Sequence, residues 1–249
     1  MSVDPFESAE LLIGRAKENR AEFEARCTER FKSVKAAPFE EPDPQTGGKF
    51  LKLRFPDLLP RSIHPVFSDG INNVRHSLDQ ATNAAVVTIR GGKPNCYFPF
   101  AKDVKDFEAI FESRRYKTIP VTLRPFLAHM KPYLGGDDLL WSLGRLSGPN
   151  KHQTILVSTP EATHNVGSWG VGRDFTPLHA WDGAKQELTL GHIAPGGQIQ
   201  LNYNFLFQVS LGDAPIVGGQ KAVAVLDAFI SKAESVVSGL KAETMRLTL

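Results

Sequence analysis

The sequence predicts an α+β fold in which a helical bundle packs with an antiparallel sheet and a C-terminal helix closes the chain. Three observations predict it. Apolar residues keep helical spacing near both ends and through residues 64–90, apolar and mainly polar residues alternate along 199–211, and no repeat, low-complexity tract or long linker divides the chain. One compact domain over residues 1–249 is expected. It should be mainly helical with an early β-hairpin to about residue 155, and mainly β with a final helix beyond it.

The elements follow in order. Asp4 can cap a first helix, Pro5 suits its first position and Glu7 falls where a capping-box carboxylate would. This helix should run over about 5–33, with Ile13, Ala16, Phe23, Cys27, Phe31 and Val34 as its apolar stripe. The turn formers of 42–48 separate Val34–Phe39 from Lys49–Phe55 and predict a hairpin. A central helix runs from His64 or Pro65 to Arg90, ended by Gly91-Gly92. Gly70 weakens it by about 1 kcal/mol relative to Ala, which packing must offset.

Shorter helices fit Val104–Arg115, Thr122–Met130 and Asp137–Leu146, after a loop carrying Pro94, Pro99 and the aromatics Tyr97, Phe98 and Phe100. Residues 187–193, a turn at Ala194-Pro-Gly-Gly197 and a long second strand over 198–211 read as a half-buried antiparallel hairpin. A last helix spans about 219–240, with Val223, Leu226, Phe229, Ile230, Ala233, Val236, Val237 and Leu240 at helical spacing.

Composition narrows the function classes without choosing one. The chain has 249 residues, 41% hydrophobic and 22% charged, which places it among ordinary globular proteins. Lys plus Arg is 29 and Asp plus Glu is 27, so the net charge of +2 makes no global electrostatic case for nucleic acid. The two cysteines, Cys27 and Cys96, form no CxxC pair and are expected to be reduced thiols. The absence of an N-terminal leader pattern and of a long apolar run predicts a cytoplasmic protein without a membrane partner.

The candidate site lies on the central helix. Ile71, Val74, Leu78, Ala81 and Ala85 share its apolar stripe, while Asn72, His76, Asp79 and Asn83 line the opposite face with Arg75 at the border. An Arg, a His, a carboxylate and amides on one short surface are either a binding or catalytic site or a polar seam between helices. In the seam reading Arg75 and Asp79, four residues apart, simply pair with each other.

The stretch Asp69-Gly-Ile-Asn-Asn-Val-Arg-His-Ser-Leu-Asp79, followed by Asn150-Lys-His152, resembles the two signature stretches of a large family of uncharacterised bacterial proteins. That resemblance implies a shared architecture with no established reaction. More distantly, the chain resembles HEPN domains, helical bundles that often cleave or bind RNA. Their motif opens on an Arg followed by a polar residue, as Arg75-His76 does, and closes on a His. Gln80 stands at the closing position here, and an amide cannot exchange a proton near neutral pH.

The resemblance implies a non-catalytic binding or regulatory module for RNA, a nucleotide or a protein partner, dimeric through its helices, with no cofactor. Asn72, Arg75, His76, Asp79, Asn150, Lys151 and His152 are the candidate binding residues. The alternative is a metal-independent RNA-cleaving enzyme in which Arg75 stabilises the phosphorane and His76 or His152 moves the proton. Capping and surface exposure are the plainer task for Asn150-Lys-His152 after Gly148-Pro149.

Other signals are weaker. Seven histidines at 64, 76, 129, 152, 164, 179 and 192 form no local ligand pair, so no metal site is expected. Gly167-Ser-Trp-Gly-Val-Gly172 lacks the GKS/T ending of a phosphate loop. Lys52, Arg54 and Arg61 beside Phe50 and Phe55 read as a solvated strand face rather than a nucleic-acid surface.

Overall fold

A computed structural model describes residues 4–92, 96–147, 173–199, 207–212 and 214–249. The fold class is mixed α+β, with six α-helices and a four-stranded antiparallel sheet among the described residues. The chain divides into two compact units. One takes in residues to 24, 62–156 and 211–249, and the other takes in 25–61 and 157–210.

Helix α1 (Glu7–Ser33) belongs to both units. Asp4 Oδ1 accepts the Phe6 N–H at 3.0 Å, so the carboxylate holds the helix entry as its position predicts. In the helical unit, α1 runs antiparallel to α2 (His64–Arg90): the Phe23 and Phe67 ring centroids lie 5.0 Å apart, and Asn73 Nδ2 donates to Asn19 Oδ1 at 3.0 Å. Ile71, Val74, Leu78, Ala81 and Ala85 are all buried, which confirms the apolar stripe of α2. Pro65 sits in its first turn, and the Gly91 N–H, at φ +77°, closes its end on the Val87 carbonyl. Gly91 is therefore a left-handed stop that a side chain would strain.

Gly70 lies where α2 meets α6 (Ala222–Thr248). A Cβ there would come within 2.9 Å of a Leu226 methyl, so the close approach of the helices supplies the packing that the glycine needs. The last helix runs eight residues past its predicted end at Leu240, with Leu240 and Thr244 still buried. Between α2 and α6 come α3 (Val104–Ile110), α4 (Arg124–His129) and α5 (Asp138–Leu146). Asp103 and Asp137 cap α3 and α5 by accepting the N–H groups of Asp106 and Leu140. Helix α3 stops five residues short of the predicted Arg115, because 111–119 wind into turns bonded to their own carbonyls.

The second unit holds the sheet, in the order β1 (Ala37–Pro42), β2 (Lys49–Arg54), β4 (Glu187–Gln198), β3 (Arg173–Asp182). The predicted first hairpin is β1–β2, with Phe39 opposite Lys52. Its outer strand carries Pro38 and Pro42. Leu53, Phe55, Leu58, Leu188 and Leu190 form a core of their own, covered by Phe31, Val34, Trp181 and Phe207.

The second hairpin differs from its prediction. Ala194-Pro-Gly-Gly197 is not a turn but part of β4, and the partner across the turn is β3, joined through residues 183–186. Asp182 Oδ1 shapes that turn by accepting the N–H groups of Ala184 and Lys185. Beyond Ile193 β4 has no β2 partner, so Pro195 removes no ladder bond on that side. Of the predicted 198–211 strand, residues 200–206 lie outside the described residues; of the rest, 198 ends β4, 207–209 form no strand, and 210 and 211 make isolated bridges.

Candidate functional site

Helix α2 places Arg75 and Asp79 one turn apart, and the irregular chain that follows the helix covers them. Arg75 Nε lies 3.3 Å from Asp79 Oδ2, with side chains only 18% and 14% exposed. Asp79 Oδ1 accepts the backbone N–H of Phe98 at 2.8 Å. The Arg75 guanidinium lies over the Phe100 ring, 4.0 Å from its centroid, in cation–π contact. Phe100 meets Phe98 edge-on at 4.8 Å, and the Cys96 thiol donates to Asn83 Oδ1 at 3.7 Å. The loop of Cys96, Tyr97, Phe98 and Phe100 is thus a lid of aromatic and backbone groups fitted to the polar side of α2.

Electrostatics separate this pair from an ordinary surface bridge. Burial pushes the Asp79 carboxyl above its usual range despite the adjoining guanidinium, and burial likewise pulls Arg75 below its usual range despite the carboxylate. For both partners, removal from water outweighs their attraction. Arg75 Nη1 is buried without a hydrogen-bond partner among the described residues. An unused guanidinium donor at such a depth is a departure from the rule that buried polar groups are satisfied.

A second cation borders the pair. Arg115 is exposed and lies over the Tyr97 ring, 4.8 Å from its centroid, close enough to bear on the charges of Arg75 and Asp79. Tyr116 is half-buried, and burial raises its hydroxyl above the usual phenol range, so it is a neutral hydrogen-bonding group at pH 7. The segment is anchored where Arg90 Nη1, at the end of α2, donates to the Thr118 carbonyl at 3.2 Å. The Cys96 thiol, pushed by burial up to about 11, is protonated and inert as a nucleophile at neutral pH.

Of the sequence-predicted residues, Arg75 and Asp79 are brought together and withdrawn from water. His76, which the helical spacing places on the same polar face as Asp79, is exposed, because it lies one helical step away from the covered side. Asn72 is half-buried. Asn150, Lys151 and His152, together with the glycine-rich 167–172, lie outside the described residues. Tyr97, Phe98 and Phe100, read from the sequence only as loop aromatics, and Arg115 and Tyr116 were not recognised as neighbours of the pair. The signal that could have found them is a buried Arg–Asp pair needing a cover, with an aromatic loop directly after the helix.

Two other places were candidates for chemistry. A groove of about 400 Å³ between α1 and α6 is lined by Lys17, Lys241, Glu10 and Glu234 among others, but Lys17 pairs with Glu234, and Lys241 with Asp4 and Glu10. On the first hairpin, Lys52 pairs with Glu41, Arg54 grips the buried Glu187 and Phe55 lies in the core, so these groups are already engaged. Among the described residues no group of three or more His, Cys, Asp or Glu could hold a metal ion, and no helix is long and apolar enough to cross a membrane. No family model, curated protein or solved structure matches the chain.

Proposed function

We propose that the chain is a non-catalytic, HEPN-like binding or regulatory module whose ligand site is the Arg75–Asp79 cluster, and that its ligand is RNA or a nucleotide rather than a protein partner. The observation that carries this reading is the buried guanidinium with an unused donor. A pair whose burial costs more than its attraction returns is poorly explained as a stabilising device, whereas a binding site tolerates such a cost. The surplus of arginine over carboxylate at Arg75, Asp79 and Arg115 favours an anion.

The competing reading is metal-independent RNA cleavage by Arg75 with His76 or His152. Gln80 at the closing position of the HEPN motif and the exposure of His76 outside the covered cluster weigh against it. Binding and cleavage separate in one assay on labelled RNA at low salt with chelator present. The expected outcome is retention of intact RNA by the wild type, weakened at least about tenfold in Arg75→Gln and falling steeply as salt rises. Cleavage lost in Arg75→Ala and His152→Ala would establish the enzyme instead, and the absence of both cutting and binding would point to a protein partner.

A further inference from the structure

We infer that the group recognised at Arg75 is a terminal phosphate monoester, and not an internal phosphodiester of a continuous nucleic-acid strand; the inference rests on the binding reading above. Three features of the site argue for it. The first is depth. The Arg75 side chain keeps 18% of its surface exposed, and its Nη1 has no contact with solvent. A diester inside a strand carries a sugar on each side and must ride over the surface, so it cannot follow a single buried donor inward. A terminal phosphate is joined to its carrier on one side only, and it can enter oxygen-first.

The second feature is charge. Among the described residues, the guanidiniums of Arg75 and Arg115 act on one carboxylate, that of Asp79, which leaves a surplus of positive charge in a partly dry setting. Arg114 and Lys117, both exposed, lie on the same short segment as Arg115. A dianionic group gains more from this surplus than a singly charged diester or carboxylate does.

The third is the arrangement of donors. Asp79 occupies the Nε side of Arg75 and leaves Nη1 over, while the exposed Arg115 lies over Tyr97 and Tyr116 adds a neutral hydroxyl. A tetrahedral oxyanion with three free oxygens can take donors from several directions, which a planar carboxylate cannot. Because Nη1 is sealed from solvent, the cover over it must yield as the ligand enters. The exposed Arg115 meets the ligand first, and the buried Arg75 once the cover has yielded.

The test is equilibrium binding of the full chain to paired probes at low salt: adenosine 5′-monophosphate against adenosine, and a short RNA with a 5′-phosphate against the same RNA with a 5′-hydroxyl. The phosphorylated member of each pair should bind at least about tenfold tighter. Arg115→Ala, an exposed position whose loss does not threaten folding, should remove most of that preference, and Arg75→Lys, checked for folding by its thermal transition, should do the same. Preference for the monophosphate alone identifies a free small molecule as the source, and preference in both pairs identifies a strand end. Equal, Arg75-dependent binding of both RNAs overturns the terminal-phosphate inference and leaves the RNA-binding reading standing. Binding by none of the probes, or binding indifferent to both arginines, overturns the two together.

Discussion

Arg75 and Asp79 are four residues apart, as a helix-surface pair would be, yet burial displaces both from their ordinary ionisation in the direction of neutrality. Removing one partner should therefore cost far more than removing both. Asp79→Ala strands a buried guanidinium and the Phe98 N–H, and should destabilise the fold by about 3–5 kcal/mol in urea unfolding. In Arg75→Met/Asp79→Asn the Asn carbonyl still accepts from Phe98, and most of that loss should be recovered. A pH series gives an independent check. Because the folded Asp79 carboxyl is raised above its ordinary range, its contribution to stability is full below the unfolded pKa and is lost as pH rises through the folded one. The stability of wild type relative to Asp79→Asn should fall across that window and level off above it. A difference that instead grows with pH would mean that attraction, not desolvation, dominates the pair.

Among the elements, α2 was the most legible, since its stripe, Pro65 and Gly91 all agree on the same helix. The hairpin of β3 and β4 was the least legible. Its turn residues, Asp182 and Gly183, lie in a stretch with little periodicity, while the denser Pro-Gly signal at 194–197 marks a place where β4 loses its β2 neighbour and its pairing with β3 shifts register. Gly191 supplies the test of this pairing. A Cβ there would stand 2.2 Å from the Phe175 ring and 2.5 Å from the Thr176 carbonyl, and the backbone atom cannot move aside without breaking register. Gly191→Ala should cost at least about 2 kcal/mol and lower amide protection in β3 and β4 first. Gly70 is a milder case, since its obstacle is a Leu226 methyl that can rotate. The cover of the candidate site was hidden for a related reason. Phe98, Phe100 and Arg115 sit in irregular chain, where periodicity says nothing about which distant side chain will be met.

At the scale of the whole molecule, composition and periodicity identify the α+β class, whereas the division into two units leaves no trace in them, because α1 crosses the boundary as one unbroken helix. Its stripe reads as continuous even though Phe23 meets Phe67 in one core and Phe31 meets Phe207 in the other. The sheet in the second unit has a property that matters outside the folded chain. Its outer described strands are β1, with Pro38 and Pro42, and β3, with Pro177 and two breaks of register. Prolines offer no N–H, and an interrupted register offers no even row of partners. A stray strand from a neighbouring molecule would find few places to add itself along either margin, so the sheet ends at its own borders and gives fibrils little to grow from.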